Sequence, residues 1–179
     1  MSRDNLKNRF IALYVENQVG VLAKVSGLFS GKSYNLQSLT VGTTEHEDIS
    51  RMTICVSSDD VTFEQIKKQL NTMVEVIKVV DLTDMKVRMK ELLFAKIKSI
   101  SMEEKAEVFR IAQTFSGGAS DGGGYCKPVD IGVDSVILES VLPEEQNNEL
   151  CALLRASFRR IDIVRGGSVA IEATGAPGK

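Results

Sequence analysis

The residues best suited to chemistry lie in the stretch from Glu16 to Val25, where a β-like apolar run ends, a glycine follows and a helical pattern begins. Gly20 permits a bend there, and the first backbone N–H groups of the helix have no partner inside it. These donors and the helix dipole favour an anion. Asn35, at the start of a later β pattern, offers a carboxamide that could meet an amine. With no nucleophile–base pair nearby, the stretch predicts an amino-acid binding site and not a catalytic one.

Simpler interpretations of these residues need no ligand. A tight turn alone would explain Gly20, with Asn17 capping the helix. Gln65 is the fourth residue of Thr62-x-x-Gln65, which has the form of a capping box, but its side chain could also touch a ligand or a neighbouring subunit. The residues alone leave both alternatives open.

The apolar periodicity of the first half predicts a β-α-β-β-α-β order. Phe10 to Val15 form a continuous apolar run, which is typical of a central strand buried on both faces. A helix then ends near Gly31, and Tyr34 to Val41 alternate polar and apolar side chains, which predicts a second strand. The remaining elements are the hairpin over 34–43 and 50–58, a helix with the apolar face Phe63, Ile66, Leu70, Met73 and Val74, and a strand over 76–82. This order predicts a ferredoxin-like domain in which strands one and three are central.

The second half repeats the same order. A strand over 89–98 comes first, followed by the capping box Ser101-x-x-Glu104 and a helix whose inward residues are Val108, Ile111, Ala112 and Phe115. Two β runs over 125–132 and 136–141 come next. A helix from Pro143, with Leu150, Leu153 and Leu154 facing inward, and a strand over 161–171 complete the order. The predicted class is α+β with two ferredoxin-like domains, over 8–83 and 89–173, joined by a linker at 84–88. A mobile glycine-rich loop is expected at 116–124 and a frayed tail at 174–179.

Composition narrows the possible functions. The chain has 179 residues, 22 Lys and Arg against 24 Asp and Glu, and no dense basic run, which disfavours binding to nucleic acid or an anionic membrane. No apolar run is long enough to span a membrane, so a cytoplasmic protein is expected. The three cysteines are widely spaced and the single histidine, His46, stands in a polar segment, so neither a disulfide framework nor a metal site is indicated.

Five stretches, in this order, resemble the small regulatory subunit of acetolactate synthase, whose N-terminal half is an ACT domain. They are Glu16-Asn17-x-x-Gly20-x-Leu22, Gly27-Leu28-Phe29, Tyr34-Asn35-Leu36-x-Ser38-Leu39-Thr40-Val41, Ser50-Arg51-Met52-Thr53-Ile54 and Glu64-Gln65-Ile66-x-Lys68-Gln69-Leu70. In the second half the resemblance is confined to Glu91-Leu92-x-Phe94-x-Lys96-Ile97 and, more roughly, Arg165-Gly166-Gly167.

The resemblance implies a non-catalytic partner of the large acetolactate synthase subunit, a thiamine-diphosphate enzyme of branched-chain amino acid biosynthesis. Such a subunit activates the enzyme and confers feedback inhibition, generally by valine, although isoleucine and leucine stay open here. Thiamine diphosphate, Mg²⁺ and, as an open question, FAD are expected on the catalytic subunit and none on this chain.

The resemblance also implies an effector site between two ACT domains that pair side by side in a homodimer. Asn17, Gly20, Val21 and Leu22 of one protomer would form the bend that faces the carboxylate, and Asn35 and Leu36 of the other would meet the amine and the branched side chain. Val41 and Gln65 are expected as further contributors.

The sequence also bears on two other classes of function. A freestanding ACT-type amino-acid sensor would need a DNA-binding or partner segment, and none is visible in the sequence. A small enzyme on a ferredoxin-like fold is disfavoured because no paired carboxylates adjoin a nucleophile.

Overall fold

The computed structural model describes residues 6–116 and 123–174, which form two compact units. The elements of the first unit are β1 (Lys7–Glu16), α1 (Val21–Gly31), β2 (Asn35–Thr43), β3 (Ile49–Ser58), α2 (Asp60–Leu70) and β4 (Val76–Asp81). Its sheet has the order β2-β3-β1-β4, and every neighbouring pair is antiparallel. The predicted β-α-β-β-α-β order, with strands one and three in the centre, is confirmed.

The core of the first unit follows from the two apolar periods in the sequence. Alternate residues of β1 from Ile11 to Val15 are buried against the helices, and Ala12, on the opposite face, is buried too. The helices contribute residues at helical spacing, namely Val21, Val25 and Phe29 of α1 and Phe63, Ile66 and Leu70 of α2. The predicted apolar face of α2 continues too far toward the C-terminus. The helix ends at Leu70, and Val74 is 91% exposed.

The cap of α2 differs from the prediction. Asp59, and not Thr62, is the N-cap residue, and its carboxylate accepts a hydrogen bond of 2.7 Å from the Thr62 amide. This hydrogen bond lowers the pKa of the Asp59 carboxyl below its ordinary value. The predicted capping box of Thr62 and Gln65 is therefore wrong, because the helix begins two residues before Thr62 and leaves Gln65 in its second turn.

The second unit has the same topology as the first. Its elements are β5 (Val87–Lys98), α3 (Met102–Ser116), β6 (Tyr125–Ile131), β7 (Ser135–Leu142), α4 (Glu144–Ser157) and β8 (Ile161–Glu172), with the sheet order β6-β7-β5-β8. The predicted capping box at α3 is confirmed. The Ser101 amide donates to the Glu104 carboxylate over 2.7 Å, and the Glu104 amide donates to the Ser101 hydroxyl over 3.2 Å.

The inward face of α4 is only partly as predicted. Leu150 and Leu154 are buried, but Leu153 is 41% exposed, so its predicted inward position is wrong. The buried stripe consists of Asn147, Leu150, Cys151 and Leu154, at positions i, i+3, i+4 and i+7. On α3, Val108, Ile111 and Ala112 are buried as predicted, while Phe115 packs against this core only partly buried.

Asn147 belongs to a buried polar network that fixes α4 on the sheet. Its side-chain oxygen accepts from the Ser140 hydroxyl over 2.7 Å, and its Nδ2 donates to the Glu91 carboxylate over 3.1 Å. Arg165 then binds both oxygens of Glu91, with distances of 2.9 Å and 2.6 Å. Each buried polar group named here has a partner, as burial requires.

The unit boundaries fall inside strands. β5 begins at Val87, so the strand includes the last two residues of the predicted linker at 84–88. Residues from Ala170 onward group with the first unit, where the Arg51 guanidinium donates to the Ala170 carbonyl and contacts Glu172 over 3.3 Å. Of the predicted mobile loop at 116–124, the structure describes only residues 116, 123 and 124, and of the predicted tail at 174–179 only residue 174. The rest of both segments lies outside the described residues.

All three cysteines, Cys55, Cys126 and Cys151, are buried, and none forms a disulfide. No helix among the described residues is long and apolar enough to cross a membrane.

Candidate functional site

The bend between β1 and α1 has the geometry that the sequence predicts. β1 ends at Glu16, α1 begins at Val21, and Gly20 occupies the N-cap position with φ of +90°. This left-handed conformation is one that glycine adopts without steric cost. A side-chain carbon placed on Gly20 would meet no atom within 4 Å, so the corner is open.

Two backbone amides at the start of α1 have no acceptor in the part of the chain that the structure describes. The Val21 amide donates to the Gln18 carbonyl over 3.3 Å, and the first bond of the regular helical type joins the Lys24 amide to the Gly20 carbonyl over 3.0 Å. Within residues 6–116 and 123–174, the Leu22 and Ala23 amides donate to no protein group. They are left for solvent or a ligand.

The N-terminus of α1 differs from the other three helix starts in the described chain. It has neither a side-chain cap nor an acidic residue in its first turn. α2 is capped by Asp59, α3 by Ser101, and α4 begins with two glutamates. Because an acid at a helix start occupies the positive end of the dipole, α1 alone keeps that end available for an external anion.

The predicted site residues Val21, Leu22 and Val41 contribute in different ways. The Val21 side chain is 4% exposed and packs in the core, so only its backbone reaches the bend. Leu22 is 44% exposed and Val41 is 47% exposed. Val41 pairs with Met52, which pairs with the core residue Leu13, so Val41 lies on the helix side of the sheet. Leu22 and Val41 therefore each leave apolar surface exposed.

The Asn17 side chain is bonded inside the chain. Its Nδ2 donates to the Glu47 carbonyl over 2.8 Å, and its Oδ1 accepts from the Ser50 hydroxyl over 3.0 Å. Its backbone amide donates to the Asp48 carbonyl over 2.7 Å. Asn17 therefore does not cap α1, and it ties the end of β1 to the β2–β3 connection. Ser50 was not predicted to lie at this corner, although it begins one of the five stretches that resemble the family.

Asn35 and Leu36 lie at the opposite end of the same unit. Val15, next to the bend, and Thr43 both pair with Ser50 of β3, whereas Asn35 pairs with Ser57. Seven residues separate these two positions on β3, a distance of roughly 23 Å along a strand. One chain thus places its two groups of predicted contacts too far apart to hold one amino acid.

The remaining candidates do not add chemistry to the bend. Gln65 is exposed in α2 and makes no hydrogen bond with the bend in the described part of the chain. His46 is also exposed, in the β2–β3 connection, 4.0 Å from the Glu45 carboxylate. Among the described residues, no group of three or more His, Cys, Asp or Glu side chains could hold a metal ion.

Comparison with known families and structures agrees with this architecture. A model described as the AHAS small subunit-like ACT domain matches residues 11–78, and one described as the small subunit of acetolactate synthase matches residues 90–174. The acetolactate synthase small subunit of Aquifex aeolicus is 36% identical over 94% of this chain and 83% of its own length. The probable acetolactate synthase small subunit of Archaeoglobus fulgidus is 38% identical over 90% of this chain and 94% of its own.

A solved structure shows the same fold. The crystal structure of the acetolactate synthase small subunit from Thermotoga maritima matches with a TM-score of 0.79 and 29% identity, over 93% of this chain and 98% of that one. Fold, bend and matches together define an ACT-domain regulatory protein. The chain belongs to the acetolactate synthase small-subunit family. It is accordingly a regulatory, non-catalytic subunit that pairs with a catalytic large subunit.

Proposed function

We propose that this subunit confers feedback inhibition by a branched-chain amino acid, generally valine, which binds between the ACT domains of two copies. The uncapped, open corner at Gly20 is the observation that carries this proposal. The effector carboxylate would lie at the Leu22 and Ala23 amides, where the helix dipole favours negative charge. Leu22 and Val41 would contact its aliphatic side chain.

The distance between the two groups of contacts supports a second copy. β2 is an edge strand of its sheet, with Leu36 and Leu39 half-buried and Val41 exposed. If two β2 strands pair antiparallel about a two-fold axis, the start of each lies beside the end of the other. Asn35 and Leu36 of one copy would then lie near the Gly20 bend of its partner, and each pair of chains would form two complete sites.

Linkage would connect binding to regulation. An effector that binds the paired ACT domains favours the packing to which it binds more tightly, and the large subunit would respond to that packing. The coupling is limited by the difference in effector affinity between the two states, typically 1–3 kcal/mol. In this proposal the subunit acts in the cytoplasm, and thiamine diphosphate and Mg²⁺ bind to the catalytic subunit.

Calorimetry of the purified subunit against valine, isoleucine and leucine, with and without the catalytic subunit, tests the proposal. We expect saturable binding of at least one of them at one site per chain. Sedimentation measured in parallel should show a dimer. Absence of binding for all three, both alone and in the complex, would refute the effector assignment while leaving the family membership intact.

A further inference from the structure

Asn17 and Ser50 form a small brace between the bend and the β2–β3 connection. Ser50 is 6% exposed, and its hydroxyl donates to Asn17 Oδ1 over 3.0 Å. Asn17 also donates from Nδ2 to the Glu47 carbonyl and from its backbone to the Asp48 carbonyl. A carboxamide suits this position because it accepts one hydrogen bond and donates another at the same time.

The connection that holds Asn17 is itself internally bonded. The Thr44 amide donates to the Ile49 carbonyl over 3.0 Å, and the Ile49 amide donates to the His46 carbonyl over 3.1 Å. The His46 amide donates to the Thr44 hydroxyl over 3.1 Å. These bonds make the connection a defined turn, so it can serve as a fixed support for Asn17.

A second support holds the other side of the bend. The Glu16 amide donates to the Glu75 carbonyl over 2.9 Å, and Lys24 donates to the Glu75 carboxylate. The hydrogen bond from Lys24 lowers the pKa of the Glu75 carboxyl. The open segment from Gln18 to Ala23 is therefore fixed at both ends, and its free amides take their direction from these two supports.

From these contacts we infer that Ser50 is a positioning residue for the amino-acid effector, and that Asn17 acts with it by orienting the bend. The inference rests on the proposed effector site and changes the role expected of Asn17. The Asn17 oxygen and one of its two Nδ2 hydrogens are already engaged, so only the second Nδ2 hydrogen is left for a direct contact with the effector. Ser50 would not touch the effector at all.

The structure predicts a local effect when the brace is removed. Asn17 is exposed, so water can hydrate its oxygen once the Ser50 hydroxyl is gone, and the cost to folding should be small. The direction of the bend amides would instead become less fixed. Ser50→Ala should weaken effector binding about fivefold, the effect of one typical hydrogen bond, with little change in thermal stability.

The test compares the wild-type subunit with Ser50→Ala, Asn17→Ala and the double variant by calorimetry with valine. Ser58→Ala is a matched control, because Ser58 is also buried on β3 and its hydroxyl has no hydrogen-bond partner. The control should bind as wild type does. The double variant should bind no more weakly than Asn17→Ala, since both substitutions break the same bond. Unchanged affinity in Ser50→Ala, or additive losses in the double variant, would overturn the inference.

Amide exchange by NMR tests the brace without any ligand. In Ser50→Ala, exchange should accelerate at the Asn17 amide, which donates to the Asp48 carbonyl, and at the Val21 amide, which donates to the Gln18 carbonyl. It should stay unchanged at the Lys105 amide in the second unit. Unchanged exchange at Asn17 and Val21 would overturn the inference. If wild type binds none of the three amino acids, the proposed function fails, and this measurement alone still decides whether Ser50 holds the bend.

Discussion

Replacing Gly20 by Asp, Asn or Ala separates the charge at the effector corner from the strain in its backbone. Gly20 has φ of +90°, and a Cβ atom at this position would meet no atom within 4 Å in any of the three variants. Each replacement must adopt the left-handed conformation, which costs a residue other than glycine about 1–2 kcal/mol. Only Asp also places a carboxylate where the effector carboxylate would lie.

The expected magnitudes differ between folding and binding. A carboxylate at the start of α1 should interact favourably with the helix dipole and stabilise the folded state by about 0.3–1 kcal/mol, which offsets part of the backbone strain. The Asp variant should therefore be no less stable than the Ala variant. Two like charges about 4 Å apart repel by about 1 kcal/mol in bulk water and about 4 kcal/mol near a protein surface. Valine affinity in Gly20→Asp should therefore fall at least about fivefold below that of Gly20→Asn, which has nearly the same shape and no charge.

The assay is calorimetry of each variant with valine at two ionic strengths, together with the activity of the reconstituted complex. Higher salt should reduce the difference between the Asp and Asn variants, because the site is exposed and charges there are screened. Activation of the catalytic subunit should be largely retained in Gly20→Asp while inhibition by valine is lost. Equal valine affinity for the Asp and Asn variants would refute the placement of the effector carboxylate at this corner.

Three further predictions follow from other parts of the chain. Asn35→His should weaken valine binding by changing donor geometry and bulk, without lowering the melting temperature; a wild-type calorimetric titration would contradict this role for Asn35. Because the Thr62 amide lowers the pKa of Asp59 in the folded state, the stabilisation from this cap is present above the ordinary aspartate pKa and is lost as the pH falls through the folded value. Urea unfolding between pH 2 and 6 should therefore show a smaller loss of stability on acidification for Asp59→Asn than for wild type; identical pH profiles would contradict the cap assignment. Burial raises the pKa of Cys126 to about 11, so its native thiol should react with iodoacetamide at pH 8 far more slowly than in urea, and equal rates would show that it is accessible.

The topology was predictable because both halves of the chain carry clear periodic signals. The unbroken apolar run of β1 marks a central strand, and Ser101 with Glu104 marks a helix start that the structure confirms. The helix start at Thr62 was misplaced because Asp59, three residues earlier, is also a good capping residue. Sequence alone does not decide which of two neighbouring caps the tertiary structure selects.

The buried face of α4 was predicted only in part, for a different reason. The leucine spacing predicts that Leu153 faces inward. The buried face of α4 instead starts at Asn147, includes Cys151 and excludes Leu153. Asn147 was overlooked because it is polar, and its burial depends on partners distant in the sequence, Glu91 among them.

At the candidate site, the sequence identified the bend and its glycine but could not reveal what the Asn17 side chain binds. Its partners Glu47 and Ser50 are 30 and 33 residues away in the chain, and β-strand pairing brings them near. Only the strand registers showed that Asn35 and Gly20 belong to opposite ends of one unit.

The separation of Asn35 from Gly20 along the sheet has a consequence for how the subunit responds to its own abundance. If each effector site is shared between two chains, dilution below the dissociation constant of the dimer would abolish valine binding, and saturating valine would in turn hold dilute chains together. Sensitivity to the amino acid would then rise with the amount of subunit in the cell, even at a constant effector level.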